Sequence, residues 1–358
     1  MKIRIDDIEL DVETGQTILD AAVKAGIYIP TLCHREDVEP YSSCMVCVVK
    51  DRKTNNYIPS CTAKARDGMD IDSSGDDVIR LRKKAVEMLL AEHRAECEAP
   101  CRIVCPAGYN IPLMNRHLQA GDINAALELA AKEVTTNDIV CTDCPAYCEN
   151  ACRRKKIDEA VSIRNLMLYV YKTFINGKPA EDLAGLINVK DKQKIINPVR
   201  KKFSSRTGKL EAYEQKEWMK EVPEDAARCR EISDLRAAAS ESVNCMHCDC
   251  RAADDCRLRD VSVTLKVKDP QGKMVNAPVL KKINKEANLI FEHAKCIKCG
   301  LCVRVSDESM ENASLCFVNR GFITLVSEPL TVSFESIDRK TAEKYISVCP
   351  TGALSKII

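Results

Sequence analysis

Residues 93–152 read His93-x3-Cys97-x3-Cys101-x3-Cys105-Pro106, then a spacer without cysteine, then Cys141-x2-Cys144-Pro145-x2-Cys148-x3-Cys152. Seven cysteines and one histidine therefore fall in two blocks of one short stretch. A [4Fe–4S] cluster takes four protein ligands, most often cysteine thiolates, so eight such ligands can hold two clusters. The stretch predicts a helical domain that folds around two [4Fe–4S] clusters.

Composition narrows the class of protein. The chain has 358 residues and a formal net charge of +1, so no strong field argues for a nucleic-acid partner. It contains no apolar run of about 18 residues, and two acids in residues 1–7 argue against a signal peptide. We therefore expect a cytoplasmic protein without a membrane span. Its 21 cysteines cannot mostly be disulfides there, and their tight spacing indicates zinc or iron–sulfur sites.

Residues 1–92 predict a small module of strands and helices. Alternating apolar residues over 3–12 predict a β-hairpin, Thr17 is placed to cap a helix, and a second helix is expected to start at Asp76 or Asp77. The module carries the group Cys33-x10-Cys44-x2-Cys47-x13-Cys61. A long loop followed by a close pair suits a [2Fe–2S] cluster. Zinc is the alternative, although zinc sites usually combine two short Cys-x2-Cys hooks.

Two motifs of this module resemble a known family. They are Pro30-Thr31-Leu32-Cys33-His34 and Cys44-Met45-Val46-Cys47-Val48-Val49. They are similar to the N-terminal [2Fe–2S] ferredoxin-like domain of the large iron–sulfur subunit of respiratory NADH dehydrogenase, which also opens many [FeFe]-hydrogenases and NAD-dependent formate dehydrogenases. The resemblance implies a β-grasp fold. In that family a later His-x3-Cys-x2-Cys-x5-Cys motif holds a [4Fe–4S] cluster, and this chain follows the motif at His93 and Cys97 and then departs from it.

The residues after Cys97 resemble a second family. The matching motifs are Cys101-x3-Cys105-Pro106, Asn110-Ile111-Pro112, Gly121-Asp122 and Cys144-Pro145-Ala146-Tyr147-Cys148. They are similar to the N-terminal iron–sulfur domain of the glutamate synthase small subunit and of dihydropyrimidine dehydrogenase. That resemblance implies two interleaved [4Fe–4S] clusters. By motif, Cys101 and Cys152 share one cluster, and Cys105, Cys144 and Cys148 share the other. His93 and Cys97 are the candidates at the right place to complete the first cluster. The family can complete the second with a non-cysteine ligand from a later helix, but Cys141 is nearer and is favoured here. A surface role without metal is the alternative for His93.

A compact cysteine group follows a long segment without tight cysteine spacing. Residues 172–244 predict surface helices near 211–220 and 225–240 and a loop over 188–207, which serve as a linker or as a docking surface. The group itself is Cys245-x2-Cys248-x-Cys250-x5-Cys256, which predicts one [4Fe–4S] cluster or a zinc ion. Alternation over 261–267 predicts a strand.

The last cysteine group is Cys296-x2-Cys299-Gly300-x-Cys302, completed by Cys349-Pro350. This spacing is typical of a [4Fe–4S] cluster. Ser306 stands where a ferredoxin with two clusters would have a further cysteine, so one cluster is expected. The layout resembles a further [4Fe–4S] site of the respiratory large subunit. Cys229 and Cys316 remain unassigned.

Together these groups predict an α+β protein with one [2Fe–2S] cluster and three to four [4Fe–4S] clusters. No Gly-x-Gly-x-x-Gly motif occurs, so neither a flavin nor a nicotinamide site is expected in this chain. The predicted domains are a [2Fe–2S] ferredoxin-like domain (1–92), a helical double-cluster domain (93–171), a helical or linker insertion (172–244) and a ferredoxin-like iron–sulfur region (245–358).

The predicted function is electron transfer within a cytoplasmic oxidoreductase of several subunits, linked to NAD(P)H and ferredoxin and of the hydrogenase, transhydrogenase or formate dehydrogenase type. No catalytic residue is assigned. A flavoprotein of the NADH dehydrogenase type is the expected partner, with ferredoxin or a second catalytic subunit on the other side. The alternatives are a structural scaffold that holds zinc at some sites and a free-standing ferredoxin with several clusters.

Overall fold

The computed structural model describes residues 1–93, 96–133, 141–142, 144–176, 212–267, 279–307 and 315–357. These residues form both helices and sheets. They divide into two compact units: the first unit comprises Met1–Arg94 and Asp254–Ile357, and the second unit comprises Ala95–Ala253. The second unit is therefore inserted into the chain of the first. This division differs from the four domains that cysteine spacing predicts.

The regular elements are as follows in chain order. The strands are β1 (Lys2–Ile5), β2 (Ile8–Asp11), β3 (Val48–Asp51), β4 (Asn56–Pro59), β5 (Asp70–Asp72), β6 (Lys281–Asn284), β7 (Leu289–Glu292), β8 (Cys316–Val318), β9 (Leu325–Ser327) and β10 (Leu354–Lys356). The helices are α1 (Ile18–Lys24), α2 (Asp76–Glu92), α3 (Pro100–Val104), α4 (Ile111–Gln119), α5 (Ile123–Glu133), α6 (Tyr147–Asn150), α7 (Ile163–Asn176), α8 (Ala212–Met219), α9 (Leu235–Ser242), α10 (Arg257–Thr264), α11 (Leu301–Asp307) and α12 (Arg339–Val348).

The N-terminal part of the first unit is a five-stranded sheet in the order β2-β1-β5-β3-β4. Strands β1 and β2 form the predicted hairpin, and β1 pairs in parallel with β5. Helix α1 begins after Thr17, whose hydroxyl accepts the Asp20 N–H while the Asp20 carboxylate accepts the Thr17 N–H. This reciprocal cap satisfies two backbone donors that the first helical turn leaves unpaired. The core between sheet and helix contains the side chains of Cys47 and Cys61.

The C-terminal part of the first unit contains a three-stranded sheet in the order β10-β7-β6 and a two-stranded sheet of β8 and β9. The strand predicted over 261–267 is wrong, because residues 257–264 form helix α10. Leu258, Val261 and Leu265 are buried, and their spacing of three and four residues follows one face of a helix. The alternation of valines there masked this longer period.

The second unit is helical. Helix α9 packs against α4, and α5 packs against α7. Their shared core includes Met114, Leu118, Leu166 and Ala238. The predicted helix near 225–240 begins only at Leu235, where the Asp234 carboxylate accepts the Ala237 N–H. The loop predicted over 188–207 lies outside the described residues.

Within the described parts of the chain, no helix is both long and apolar enough to cross a membrane.

Candidate metal centres

The predicted [2Fe–2S] ligands lie together in the first unit. Cys33, Cys44, Cys47 and Cys61 are each at most 5% exposed. Their thiols interact in two pairs, Cys33 with Cys44 and Cys47 with Cys61, and electrostatic interactions link the pairs. Hydrogen bonding from the Cys44 thiol lowers the pKa of Cys33, which favours one thiolate in that pair. The Val46 N–H donates to the Cys44 sulfur at 3.5 Å. Such N–H donors stabilise anionic sulfur in iron–sulfur sites.

The last predicted group lines one cavity in the first unit. Cys296, Cys299, Cys302 and Cys349 border an empty volume of about 340 Å³, whose other walls include Phe291, Leu301 and Leu354. Burial raises the pKa of Cys296 to about 12 and raises the pKa of Cys299 and Cys302 further. The Lys298 N–H donates to the Cys296 sulfur at 3.4 Å, in a turn where Lys298 has a φ of +53°. Two buried and two half-buried thiols around one cavity fit a cubane cluster.

Ser306 has a structural role beside this cavity. Its hydroxyl donates to the Cys302 carbonyl at 2.8 Å, lies 2.7 Å from the Tyr345 hydroxyl, and accepts the Leu315 N–H at 3.1 Å. In a ferredoxin with two clusters, this position would carry a cysteine. Here Ser306 links helix α11 to α12 through these hydrogen bonds instead.

Direct hydrogen bonds connect these two groups within the first unit. The Arg304 guanidinium donates to the Cys33 carbonyl at 2.8 Å and to the Glu39 carbonyl at 3.0 Å. The Ser43 hydroxyl donates to the Cys299 carbonyl at 3.2 Å. Arg304 lies on α11, the helix that carries Cys302. The loop of the [2Fe–2S] group and the elements of the C-terminal group therefore contact each other through their own ligand-bearing segments.

The second unit holds part of the predicted double-cluster set. The Cys148 thiol interacts electrostatically with Cys105 and Cys141, and burial raises its pKa. The Cys141 sulfur lies 4.0 Å from the Met167 sulfur, and Cys144 is half-buried. These placements agree with a shared site for Cys105, Cys141 and Cys148, and the complete set with Cys144 stays a prediction.

A second cavity lies in the second unit. Its cysteine lining is Cys101, Cys152, Cys245 and Cys248, around an empty volume of about 340 Å³. Cys101 and Cys152 were expected together, but the sequence assigned Cys245 and Cys248 to the compact group 245–256. The structure instead places them with the earlier pair.

The remaining predicted ligands are distributed as follows. In the second unit, the Cys250 N–H donates to the Cys97 carbonyl at 3.1 Å. In the first unit, the His93 Nδ1 lies 3.0 Å from the Lys295 carbonyl oxygen, and the Cys256 sulfur lies 4.0 Å from the Pro350 carbonyl oxygen. Among the described residues, no three His, Cys, Asp or Glu side chains form a group that could hold a single metal ion.

Three polar residues that the cysteine spacing does not reveal line the cavity of the second unit. They are Asn115, Arg153 and Arg154. Asn115 is completely buried and lies on the same face of α4 as Ile111 and Leu118. A polar residue on the apolar face of an amphipathic helix was therefore the available signal for Asn115. Arg153 and Arg154 directly follow Cys152. A basic pair next to a predicted ligand is a weaker sequence signal of a place in the cavity wall than a polar residue on an apolar helix face.

Comparisons with known proteins agree with two iron–sulfur domains. Residues 1–75 match the model of a 2Fe-2S iron–sulfur cluster binding domain. Residues 77–178 match the model of dihydropyrimidine dehydrogenase domain II, 4Fe-4S cluster. The chain is an iron–sulfur protein, and both resemblances drawn from its motifs are confirmed.

The relatives are subunits of larger enzymes. The chain is 33% identical over 115 residues to the alpha subunit of the NADPH-Fe(3+) oxidoreductase of Geobacter sulfurreducens, covering 32% of this chain and 13% of that protein. It is 36% identical over 97 residues to a subunit of the NADH-quinone oxidoreductase of Rhizobium meliloti, covering 27% and 11%. It is 32% identical over 119 residues to the gamma subunit of the NAD-reducing hydrogenase HoxS of Cupriavidus necator, covering 32% and 50%. The chain thus spans at most half the length of these relatives.

Proposed function

We propose that this chain is the electron-transfer subunit of a cytoplasmic oxidoreductase of several subunits. The observation that carries the proposal is the pair of buried cysteine groups in the first unit, whose ligand segments are joined by Arg304 and Ser43. Iron–sulfur clusters supply one-electron redox chemistry, and electron transfer between them requires that they lie close together. Contact between the two ligand segments supports such a short separation.

The protein contributes burial and hydrogen bonding to that chemistry. Buried thiols exclude water from the sites, and N–H donors to sulfur, such as those of Val46 and Lys298, stabilise the electron-rich state. The Arg304 guanidinium beside the Cys33 carbonyl adds positive charge near the first group. These groups tune reduction potential and need no substrate pocket, so we assign the chain no catalytic residue.

The names of the relatives suggest the partners. They describe subunits of NAD(P)H-linked oxidoreductases and a hydrogenase. We propose a flavoprotein of the NADH dehydrogenase type as one partner, and ferredoxin or a second catalytic subunit as the other. The complex is then of the hydrogenase, transhydrogenase or formate dehydrogenase type. We retain the β-grasp fold for the N-terminal module and the ferredoxin-like fold for the C-terminal region as part of this proposal.

The decisive experiment is anaerobic co-purification from the native host. We expect a flavoprotein to co-purify with the chain. NADH or NADPH should reduce the iron–sulfur clusters of the complex at least as fast as the complex turns over. A brown protein that purifies without a flavoprotein and is not reduced by NAD(P)H indicates a free-standing ferredoxin. A colourless protein that contains zinc in place of iron and sulfide contradicts the relay and supports a scaffold.

Cys97 and Cys250 suggest one further ligand set. They are hydrogen-bonded through their backbones within the second unit. In the sequence, the surrounding spacings are His93-x3-Cys97 and Cys250-x5-Cys256, and the respiratory motif is His-x3-Cys-x2-Cys-x5-Cys. We propose that residues 98–249 interrupt this motif between its second and third ligand positions. Cys97 and Cys250 then serve one cluster.

This ligand set makes a specific prediction. Cys97→Ala and Cys250→Ala should each abolish or alter the same reduced-state EPR signal, with a loss of up to about four iron atoms per chain. The double variant should lose no more than either single variant, because both cysteines serve one cluster. If Cys250→Ala keeps the iron content and spectrum of the wild type, the assignment is incorrect.

A further inference from the structure

We propose that Cys101, Cys152, Cys245 and Cys248 hold one [4Fe–4S] cluster. The assignment rests on the proposed function only in that the chain carries such clusters. It differs from both groupings that spacing predicts, because it joins Cys101 and Cys152 of the double-cluster stretch to the hook Cys245-Met246-His247-Cys248 from the far end of the second unit.

The cavity is the first observation that supports the site. Cys101 belongs to α3, Cys152 lies two residues after the end of α6, and the other two cysteines lie in the loop after α9. Three separate segments therefore bring four thiols to one pocket, whose volume of about 340 Å³ includes space open to solvent. A zinc ion would need its sulfur ligands at about 2.3 Å from one point. Thiols that border a cavity suit the larger cubane instead.

The backbone of the hook is an independent observation. In Cys245-Met246-His247-Cys248 the third residue is left-handed, with a φ of +46° at His247, and its N–H hydrogen-bonds the Cys245 sulfur. Cys296-Ile297-Lys298-Cys299 has the same arrangement, with a φ of +53° and an N–H to sulfur distance of 3.4 Å. A left-handed backbone conformation is unfavourable for a non-glycine residue. In both turns this conformation directs a backbone N–H toward the cysteine sulfur.

The polar lining of the cavity fits an anionic group. A cubane held by four thiolates has a net negative charge, and Arg153 and Arg154 line the same cavity. Asn115 is completely buried there, and its side chain interacts with the Cys245 thiol. A cluster sulfur or thiolate gives the amide N–H an acceptor.

Tertiary contacts hold the hook in place. Arg116, the residue after Asn115 on α4, forms a bidentate buried ion pair with Asp249, the residue after Cys248, at 2.9 and 2.8 Å. Helix α9, which leads into the hook, packs against α4. The hook therefore has a defined position relative to the wall that carries Asn115.

The test compares single and double variants of the full-length chain purified without oxygen. Cys101→Ala and Cys245→Ala should each abolish or alter the same reduced-state EPR signal, and the double variant should change no second signal. Iron and sulfide should fall by up to about four per chain in all three. If the double variant loses two signals and up to about eight iron atoms, the two cysteines serve different clusters and the proposal fails.

Two further variants separate this outcome from misfolding and from failure of the relay itself. Cys229→Ala, a cysteine outside the cavity, should keep the wild-type iron content and spectrum. Cys245→Ser keeps an oxygen ligand at the hook and should shift the g values of the signal that Cys101→Ala removes. An unchanged spectrum in Cys245→Ser overturns the ligand assignment. Wild type and Cys229→Ala that both lack iron would instead refute the proposed function.

Discussion

Cys302→Ala is expected to remove the C-terminal [4Fe–4S] cluster, with a loss of up to about four iron and four sulfide atoms per chain. Cys302 is buried at the start of α11 and lines the cavity with Cys296, Cys299 and Cys349. Alanine supplies no ligand. Apart from the three remaining cysteines, no residue that lines the cavity has a thiol or imidazole side chain that could replace Cys302. Iron and sulfide analysis and EPR of the reduced protein measure the loss.

The same variant should also weaken the fold of the first unit, because ligand–metal bonds contribute folding free energy directly. We expect a lower thermal midpoint and, in the intact complex, a reduced [2Fe–2S] signal without onward electron transfer to the acceptor. Cys316→Ala is the matched control, since Cys316 lies on β8 and does not line the cavity. Wild-type iron content and spectrum in Cys302→Ala would exclude this cysteine as a ligand.

Asp249→Ala is expected to destabilise the second unit by about 3–5 kcal/mol, because it leaves a buried guanidinium without its counter-ion. The side chains of Arg116 and Asp249 are 8% and 4% exposed and form two hydrogen bonds. The variant should also weaken iron retention at the hook, since Asp249 adjoins Cys248. Denaturant unfolding of the anaerobic protein, followed by circular dichroism and by cluster absorbance, measures both effects.

Two comparisons define this prediction. The double variant Arg116→Met with Asp249→Leu should recover much of the lost stability, because replacing both buried ions by apolar side chains is often close to neutral. Glu343→Ala removes the exposed pair of Arg339 and Glu343 and should cost less than about 1 kcal/mol. A loss in Asp249→Ala no larger than that of Glu343→Ala would contradict the inferred role of the buried pair.

Local sequence was a good guide to the short elements of the first unit, and its ligand sets stay predictions. The hairpin, the Thr17 cap and helix α2 lie where the sequence predicted them. The cysteines of the C-terminal group line one cavity as their spacing suggested. These features depend on turns and caps whose backbone geometry is determined by a few neighbouring residues. The local sequence is therefore enough to predict them.

Spacing was a poor guide where ligands from distant segments meet. The linear pattern grouped Cys245 and Cys248 with Cys250 and Cys256, because the four are neighbours in sequence. The structure places the first two with Cys101 and Cys152, and Cys250 beside Cys97. The misassigned strand over 261–267 is a smaller case, in which tertiary burial of one helical face outweighed β-branched residues.

The sequence by itself determined that the chain is an iron–sulfur protein, which segments carry its cysteines, and which short turns present them. Thiols are chemically identical, however, and a cluster sets no requirement on the order of its ligands along the chain. The choice of partners therefore depends on which segments pack together. In the second unit, the packing of α9 against α4 and the buried ion pair of Arg116 and Asp249 determine which cysteines lie together. Only the tertiary structure shows this arrangement.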